Sequence, residues 1–227
     1  MNRRRLVVFL ISLTFTSCGS IVKNLAGFKN PKVENKEALE GYFKGVMPHE
    51  DTYYLAIEKV GDSAAIFDNF FYVFSSEMKI FSKTGQKYCY KGTSECSGSQ
   101  MTSAFNEFEE TFIPCVEDSI ENLNDVISKL VDKNGNKLNL TDLPESDYYI
   151  FQNWDKYSSS RKNLKQDSNW ISQLKENSKL NVSIVFINGD LLDEWGLEKN
   201  GKLKTKFRKN DKGLSFDITF GKLPLKQ

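Results

Sequence analysis

Two near-continuous apolar segments, separated by a stretch of helical character, constrain the fold of this 227-residue chain most strongly. The first runs from Tyr148 to Trp154 and the second from Leu180 to Gly189, and both are typical of buried strands. Between them, Ser159 to about Glu176 predicts a helix. Strands that are apolar along their whole length belong to parallel sheets covered on both faces. This order of strand, helix and strand therefore predicts a parallel pair joined by a right-handed crossover.

The residues around the first of these strands resemble the periplasmic thiol-disulfide oxidoreductases of the thioredoxin superfamily. Residues 129–142 (KLVDKNGNKLNLTD) are similar to the hairpin that opens the domain of that family, with a turn at residues 134–136. The family's active-site segment, W-A-x-W-C-x-x-C, corresponds to residues 154–161 (WDKYSSSR) of this chain. The resemblance implies an α/β fold, with a thioredoxin-like sandwich over residues 126–227.

Ser158 and Arg161 stand where the resemblance places the two reactive cysteines. Disulfide exchange requires a thiolate that attacks a disulfide sulfur and a second thiol that resolves the mixed disulfide. We therefore expect a scaffold that has lost this reaction. Ser158 is predicted to begin the following helix, with its hydroxyl accepting a backbone N–H, and Ser159 and Ser160 are equally suited to that role.

The end of the chain departs further from the family pattern. Residues 203–221 predict a two-stranded ribbon, Leu203–Phe207 and Leu214–Phe220, turned by residues 211–213. The strand that completes the family's active site carries a proline, and no clear counterpart is present here.

The first eighteen residues are typical of an exported lipoprotein. Arg3, Arg4 and Arg5 precede an apolar run, Leu6–Phe15, that is too short to span a bilayer and long enough for a signal peptide. Thr16 and Ser17 then precede Cys18 and Gly19, an order that resembles the lipobox of bacterial lipoproteins. The resemblance, of a type common in Bacteroidota, implies that residues 1–17 are removed and that Cys18 is acylated. The alternative is an ordinary secreted protein cut near Ser17.

The residues after Cys18 indicate where the lipoprotein would reside. Gly19 and Ser20 take the place of the aspartate that favours inner-membrane retention in enterobacteria, so the resemblance implies an outer-membrane lipoprotein. The acidic run that marks surface export in Bacteroidota is absent, which favours the periplasmic face. Residues 18–35 lack periodicity and are interpreted as a lipidated linker.

Residues 36–125 predict an α+β half that precedes the thioredoxin-like half. Lys36–Lys44 reads as a helix, and Thr52–Ile57 and Phe70–Ser75 read as strands. Ile80–Phe81 and Tyr88–Tyr90 predict a hairpin around residues 84–85. Two helices are predicted on either side of Pro114, over residues 103–112 and 118–130. The acidic residues of this region are interpreted as a solvated face: Glu109, Glu110, Glu117, Asp118 and Glu121.

Apart from Cys18, the mature chain has three cysteines: Cys89, Cys96 and Cys115. An oxidising compartment permits a structural disulfide between two of them. Cys89 and Cys96 are close enough in sequence for a turn to join them, but spacing alone leaves all three pairings open. None of the three lies in a C-x-x-C arrangement, so we expect no catalytic role for them.

Other chemistry lacks the residues that it needs. His49 is the single histidine, in a loop-like segment, so a serine–histidine–aspartate triad is not expected. Cys89, Cys96 and His49 do not provide the four closely spaced ligands of a zinc site, and we expect neither a metal nor another cofactor.

Charge and motifs leave two classes of function. Lys and Arg number 31 against 30 Asp and Glu, and without an evident basic stripe we expect no nucleic-acid partner. The first class is a lipoprotein whose redox-inactive thioredoxin-like domain is a binding or structural module, with envelope proteins as partners. The alternative is a thiol-disulfide redox protein that uses a pair among the three remaining cysteines outside a C-x-x-C motif.

Overall fold

The structure, a computed structural model, describes residues 29–74, 78–91, 104–116, 121–158, 161–177, 179–209 and 216–226. Cys18, the predicted site of lipidation, and Cys96, a candidate for the disulfide, lie outside these ranges. In chain order the described elements are β1 (Val33–Glu34), α1 (Lys36–Lys44), β2 (Thr52–Leu55), α2 (Ser63–Phe74), β3 (Lys79–Ser82), β4 (Lys87–Tyr90), α3 (Phe108–Thr111), β5 (Phe112–Pro114), α4 (Leu123–Ile127), β6 (Leu130–Val131), β7 (Tyr148–Trp154), α5 (Arg161–Asn177), β8 (Val182–Asn188), β9 (Leu191–Leu192), β10 (Thr205–Lys209) and β11 (Phe216–Phe220).

A seven-stranded mixed sheet in the order β5-β4-β3-β7-β8-β2-β6 forms the centre of this α/β fold. β7 and β8 are parallel and pair along their whole length, from Tyr148 opposite Val182 to Trp154 opposite Asn188. With α5 between them in sequence, they form the strand–helix–strand unit that the two apolar segments predict. All seven residues of β8 except the first are buried, as expected of a strand covered on both faces.

The strands on either side of this parallel pair come from the first half of the chain. β2 runs parallel to β8, and β3 runs antiparallel to β7. The two halves, 36–125 and 126–227, therefore share one sheet. The predicted C-terminal ribbon is present as antiparallel β10 and β11, but it forms a separate two-stranded sheet and adds nothing to the central one.

The predicted strand at Phe70–Ser75 is wrong, because residues 70–74 form the end of helix α2 and Ser75 lies outside the described residues. The Asp62 carboxylate accepts hydrogen bonds from the backbone N–H groups of Ala64 and Ala65, at 2.9 and 3.3 Å, which stabilises the start of the helix. Ile66, Phe70 and Val73 follow at helical spacing and form its buried face. A run of aromatic and β-branched residues favours a strand locally, but the tertiary packing overrides that preference here.

The helical pair predicted around Pro114 is only partly correct. α3 is a single turn and leads directly into β5, an edge strand that ends at Pro114. The second helix begins later than predicted, after Asn122, whose side chain forms a reciprocal capping box with Asp125. Elsewhere the predicted helix at Lys36–Lys44 and the hairpin of β3 and β4 are confirmed, with Gly85 at a φ of 90° in the turn.

A segment that we call the strap, residues 29–34, crosses the C-terminal half before α1 begins. Its last two residues form β1, which pairs in parallel with β9. Asn30 accepts hydrogen bonds from the backbone N–H and the hydroxyl of Thr205, at 3.2 and 2.7 Å. None of the helices in the described ranges combines the length and the hydrophobicity needed to cross a bilayer.

Candidate functional site

The parallel strands β2, β7 and β8 end at the same edge of the sheet, which we call the carboxyl edge. Trp154 and Tyr54 both lie opposite Asn188, so the three strands reach this edge in register. In open α/β sheets, ligands bind outside the carboxyl ends of the strands. Residues 154–161, the segment in which the sequence resemblance compares two positions with reactive cysteines, begin here, and Asp190 comes from the neighbouring strand end.

Ser158 is held by the carboxylate of Asp155. Its backbone N–H donates to Oδ1 at 2.5 Å, and its hydroxyl donates to Oδ2 at 2.7 Å. The hydroxyl is thus a donor to a carboxylate, whereas the sequence predicted an acceptor for a backbone N–H. The reason is the neighbouring Asp155, whose negative charge makes it the stronger acceptor. Ser159 and Ser160 lie outside the described residues, and α5 begins at Arg161.

Asp190 is a fully buried carboxyl group beside this turn. Its oxygens accept hydrogen bonds from the backbone N–H of Lys156, at 3.0 and 3.2 Å, and from the Asn188 amide at 3.0 Å. Burial, followed by the nearby negative charge of Asp155, raises the pKa of Asp190 to about 8. The Asp190 carboxyl is therefore largely protonated at neutral pH, which limits the negative charge that Asp155 and Asp190 carry together.

Replacing Asp190 with asparagine should change how stability depends on pH. The folded wild-type chain keeps the Asp190 proton up to about pH 8, whereas the unfolded chain releases it near pH 3.8. Because the folded state then binds more protons, this group lowers the free energy of unfolding as pH rises between those values. Asp190→Asn resembles the protonated form at every pH, so its stability relative to wild type should increase from pH 4 to pH 8.

Urea unfolding at several pH values tests this prediction. Asp147→Asn is the control, because Asp147 is half-exposed and precedes β7 at the opposite edge of the sheet. The control should keep the wild-type pH dependence. Parallel curves for wild type and Asp190→Asn would contradict the buried, protonated carboxyl.

Charged side chains and the strap cover this edge. Lys156 forms an ion pair with Glu34 of the strap, with Nζ and Oε1 2.9 Å apart. Lys156 and Arg161 both lie over the ring of Tyr42, at 5.4 and 5.0 Å from its centroid, in cation–π contacts. The backbone N–H of Lys29 donates to the carbonyl of Tyr157 at 2.7 Å. The second of the two aligned positions, Arg161, therefore binds an aromatic ring of the same chain.

A second polar cluster surrounds Glu121, which the sequence assigned to a solvated acidic face. That interpretation is wrong for Glu121, because Tyr72 and Lys129 donate to its Oε1 at 2.8 and 2.6 Å and Lys79 to its Oε2 at 2.7 Å. Burial alone would raise the pKa of Glu121, but these three hydrogen bonds outweigh it and lower the pKa to about 2. Both lysines also lie over the Tyr72 ring. The cluster joins α2 and β3 to the segments on either side of α4 and holds these parts of the fold together.

Cys89 and Cys115, the two cysteines among the described residues, lie away from the carboxyl edge. Cys89 of β4 and Cys115, just after β5, form a disulfide with a Cα–Cα distance of 5.2 Å. Of the three pairings that the sequence left open, the structure contains Cys89–Cys115. This disulfide joins β4 to the end of β5, the two strands at one side of the sheet. His49 lies exposed in a turn, as predicted.

The sequence did not identify the most buried polar group of the site, Asp190, although its position carries a signal. Asp155 and Asp190 each follow the end of a near-continuous apolar strand, where parallel strands bring their neighbours together. No group of three His, Cys, Asp or Glu side chains in the described ranges is arranged to hold a metal ion. Comparison with protein families, curated proteins and solved structures finds no match to this chain.

Proposed function

We propose that this protein is a lipoprotein of the bacterial outer membrane, anchored through Cys18 and facing the periplasm. Its C-terminal half, residues 126–227, is in this proposal a thioredoxin-like domain without redox activity that acts as a binding or structural module for envelope proteins. The observation that carries the proposal is the occupation of the two aligned cysteine positions. Ser158 donates two hydrogen bonds to the Asp155 carboxylate, and the Arg161 guanidinium lies over the ring of Tyr42.

This arrangement cannot support dithiol exchange. A serine hydroxyl ionises far too weakly to replace a thiolate, and it forms no bond equivalent to the mixed disulfide. Arg161 offers no nucleophile, because its guanidinium stays protonated in proteins. The strand–helix–strand unit supports the thioredoxin-like assignment, and the signal sequence with Cys18 supports the anchor.

Restoring the two cysteines tests the scaffold and the loss of activity together. Wild-type protein is expected to leave a disulfide substrate such as insulin unreduced above the background rate of the added dithiothreitol. The Ser158→Cys/Arg161→Cys variant is expected to accelerate that reduction, because it places two thiols at the start of α5. The matched control, Ser172→Cys/Lys175→Cys, has the same spacing near the end of α5 and should not accelerate it.

Either of two results would contradict the proposal. Turnover by the wild-type protein would contradict the redox-inactive assignment, and an inactive but correctly folded cysteine variant would contradict the thioredoxin-like scaffold. The anchor has its own test, the mass of the mature N-terminus, which should show acyl chains on Cys18. A Cys18→Ser protein that still fractionates with membranes in 1 M salt, on the order of a 3 Å screening length, would contradict it.

A second candidate function, a redox protein using Cys89 and Cys115, is favoured by one observation. Cys89 is exposed on β4 and Cys115 is partly exposed, so a thiol from solvent can reach the disulfide. This candidate requires that the bridge open and re-form during turnover.

A further inference from the structure

The near-neutral charge of the whole chain conceals a strongly basic C-terminal region. Residues 199–227 contain nine Lys or Arg residues and two Asp residues, while the whole chain has 31 basic and 30 acidic residues. The rest of the chain is therefore acidic overall. The prediction of no basic stripe rested on the charge of the whole chain and therefore overlooked this excess of basic over acidic residues in residues 199–227.

The structure places several of these lysines side by side on one surface. Lys202, Lys204 and Lys206 are exposed, whereas Leu203 and Thr205 between them are 0% and 9% exposed. This alternation is the period of an extended strand, so the three lysines project from the same face, roughly 7 Å from one to the next. Lys222 is also exposed, next to Gly221, whose backbone N–H bonds to the carbonyl of Lys204.

Four of these lysines, Lys202, Lys204, Lys206 and Lys222, pair with no carboxylate in the part of the chain that the structure describes. Within the described ranges, every ion pair involves other lysines. An exposed row of like charges stabilises nothing within the fold itself, since neighbouring lysines repel each other. Such a row is suited to an anionic partner.

The basic row lies directly against the strap that leads back to Cys18. Lys202 is bridged to Lys32 in antiparallel orientation, and the backbone N–H of Leu203 donates to the carbonyl of Pro31 at 2.8 Å. Lys29, at the start of the described chain, is exposed as well. Lys29 follows Cys18 by eleven positions in the sequence, which at full extension span at most about 40 Å. A lipid on Cys18 therefore keeps this surface close to the bilayer.

We propose that Lys29, Lys202, Lys204, Lys206 and Lys222 form a basic surface that binds the anionic phospholipids of the membrane holding the anchor. This inference rests on the proposed lipid on Cys18, because the tether is what favours a membrane over other anions. Each lysine near an anionic leaflet contributes about 1 kcal/mol, which falls off within a Debye length. The surface adds a second, electrostatic attachment to the acyl chains and orients the carboxyl edge of the sheet relative to the bilayer.

A nucleic acid fits this surface less well. Proteins that bind single strands combine basic grooves with exposed aromatic rings on which the bases stack. The aromatic residues of the ribbon whose side chains are described, Phe207 and Phe220, are half-buried and pack against the core. The lysines alternate with buried residues along one extended segment that leads into β10, an arrangement that suits a plane of headgroups.

Vesicle co-sedimentation tests the surface separately from the anchor. The protein used is the mature chain from residue 18 with Cys18→Ser, which retains every described residue and carries no lipid. It is expected to bind phosphatidylcholine vesicles containing about 30% phosphatidylglycerol at least tenfold more tightly than phosphatidylcholine alone. Raising the salt from 50 to 500 mM NaCl should abolish most of this binding.

A triple lysine variant assigns the binding to these residues. Lys202→Gln/Lys204→Gln/Lys206→Gln should weaken binding about a hundredfold, since each lysine contributes on the order of fivefold. The matched control is Lys83→Gln/Lys133→Gln/Lys137→Gln. It removes the same charge from exposed lysines near the edge of the central sheet opposite the carboxyl edge, and it should weaken binding less than threefold. Equal unfolding midpoints for the two variants show that both are folded.

Three results would overturn the proposal. They are equal binding to neutral and anionic vesicles, equal losses in the two triple variants, and tighter binding of a DNA oligonucleotide than of anionic vesicles at the same salt. An unmodified native N-terminus at residue 18 would instead contradict the anchor and leave vesicle binding by the basic surface unchanged. The two proposals therefore fail in distinguishable ways.

Discussion

Replacing Trp154 with alanine is expected to lower the free energy of unfolding by about 3–5 kcal/mol, which is a large part of the total stability of a domain. Trp154 is 2% exposed at the end of β7, where the sheet meets helix α1. Its ring stacks on Phe43 at 4.9 Å and on Tyr42 at 6.3 Å between centroids. Removal leaves a cavity that the surrounding strands cannot close without moving.

The indole N–H adds a polar contribution to this packing. It donates to the hydroxyl of Thr52 at 2.7 Å, a buried hydrogen bond between two strands that are 102 residues apart in sequence. Trp154→Phe keeps most of the apolar contact and removes the donor, so it should cost less than alanine, about 1–3 kcal/mol. The double variant with Thr52→Val should recover part of that loss, because no buried hydroxyl is then left without its partner.

Urea unfolding followed by circular dichroism measures these effects. Phe71→Ala is the control, because Phe71 is 38% exposed and its removal creates a much smaller cavity. A loss of less than about 1 kcal/mol for Trp154→Ala would contradict the position of this residue in the core. The same variant should loosen the turn at residues 155–158, which follows Trp154 directly.

The sequence predicted the strand–helix–strand unit well because its signals are local. β7 was predicted with its observed bounds, Tyr148–Trp154, and β8 lies within the predicted Leu180–Gly189. Both segments are short, almost wholly apolar and bounded by polar residues, which leaves little choice of structure. The arrangement of β2 and β3 around this pair is not local, and nothing in residues 52–55 indicates that they lie beside residues 186–188.

The site was only partly predictable for the same reason. The sequence resemblance selected Ser158 and Arg161, and that selection stays a prediction, but the partners of that segment come from distant parts of the chain. Glu34 reaches Lys156 across 122 positions, and Asp190 reaches it across 34. The basic row was missed because a charge total averages over the chain, whereas lysines at alternate positions of one extended segment share a surface.

The largest effect expected away from the core is the loss of the Cys89–Cys115 disulfide. Cys115→Ser is expected to lower the free energy of unfolding by about 3 kcal/mol, because the bridge closes a loop with a sequence separation of 26 residues. β5 is three residues long and lies at the edge of the sheet, so the bridge holds a strand that has few other contacts. Cys89→Ser should cost the same amount, since both substitutions open the same loop.

Cys96→Ser is the matched control for the pairing. It removes the third cysteine and should leave the unfolding midpoint unchanged, because Cys96 is not part of the bridge that the structure contains. Equal losses for Cys96→Ser and Cys115→Ser would contradict the pairing of Cys89 with Cys115.

Reductant then separates a structural bridge from a catalytic one. A structural disulfide should resist millimolar glutathione under native conditions, and stronger reduction should lower the stability of the wild-type protein to that of Cys115→Ser. Opening of the bridge by glutathione without loss of stability, with transfer of the disulfide to a substrate, would instead favour the redox candidate. The expected stabilisation of about 3 kcal/mol argues against that outcome. By thermodynamic linkage, a disulfide that stabilises the folded chain by this amount is harder to reduce in the folded chain than in the unfolded chain by the same free energy.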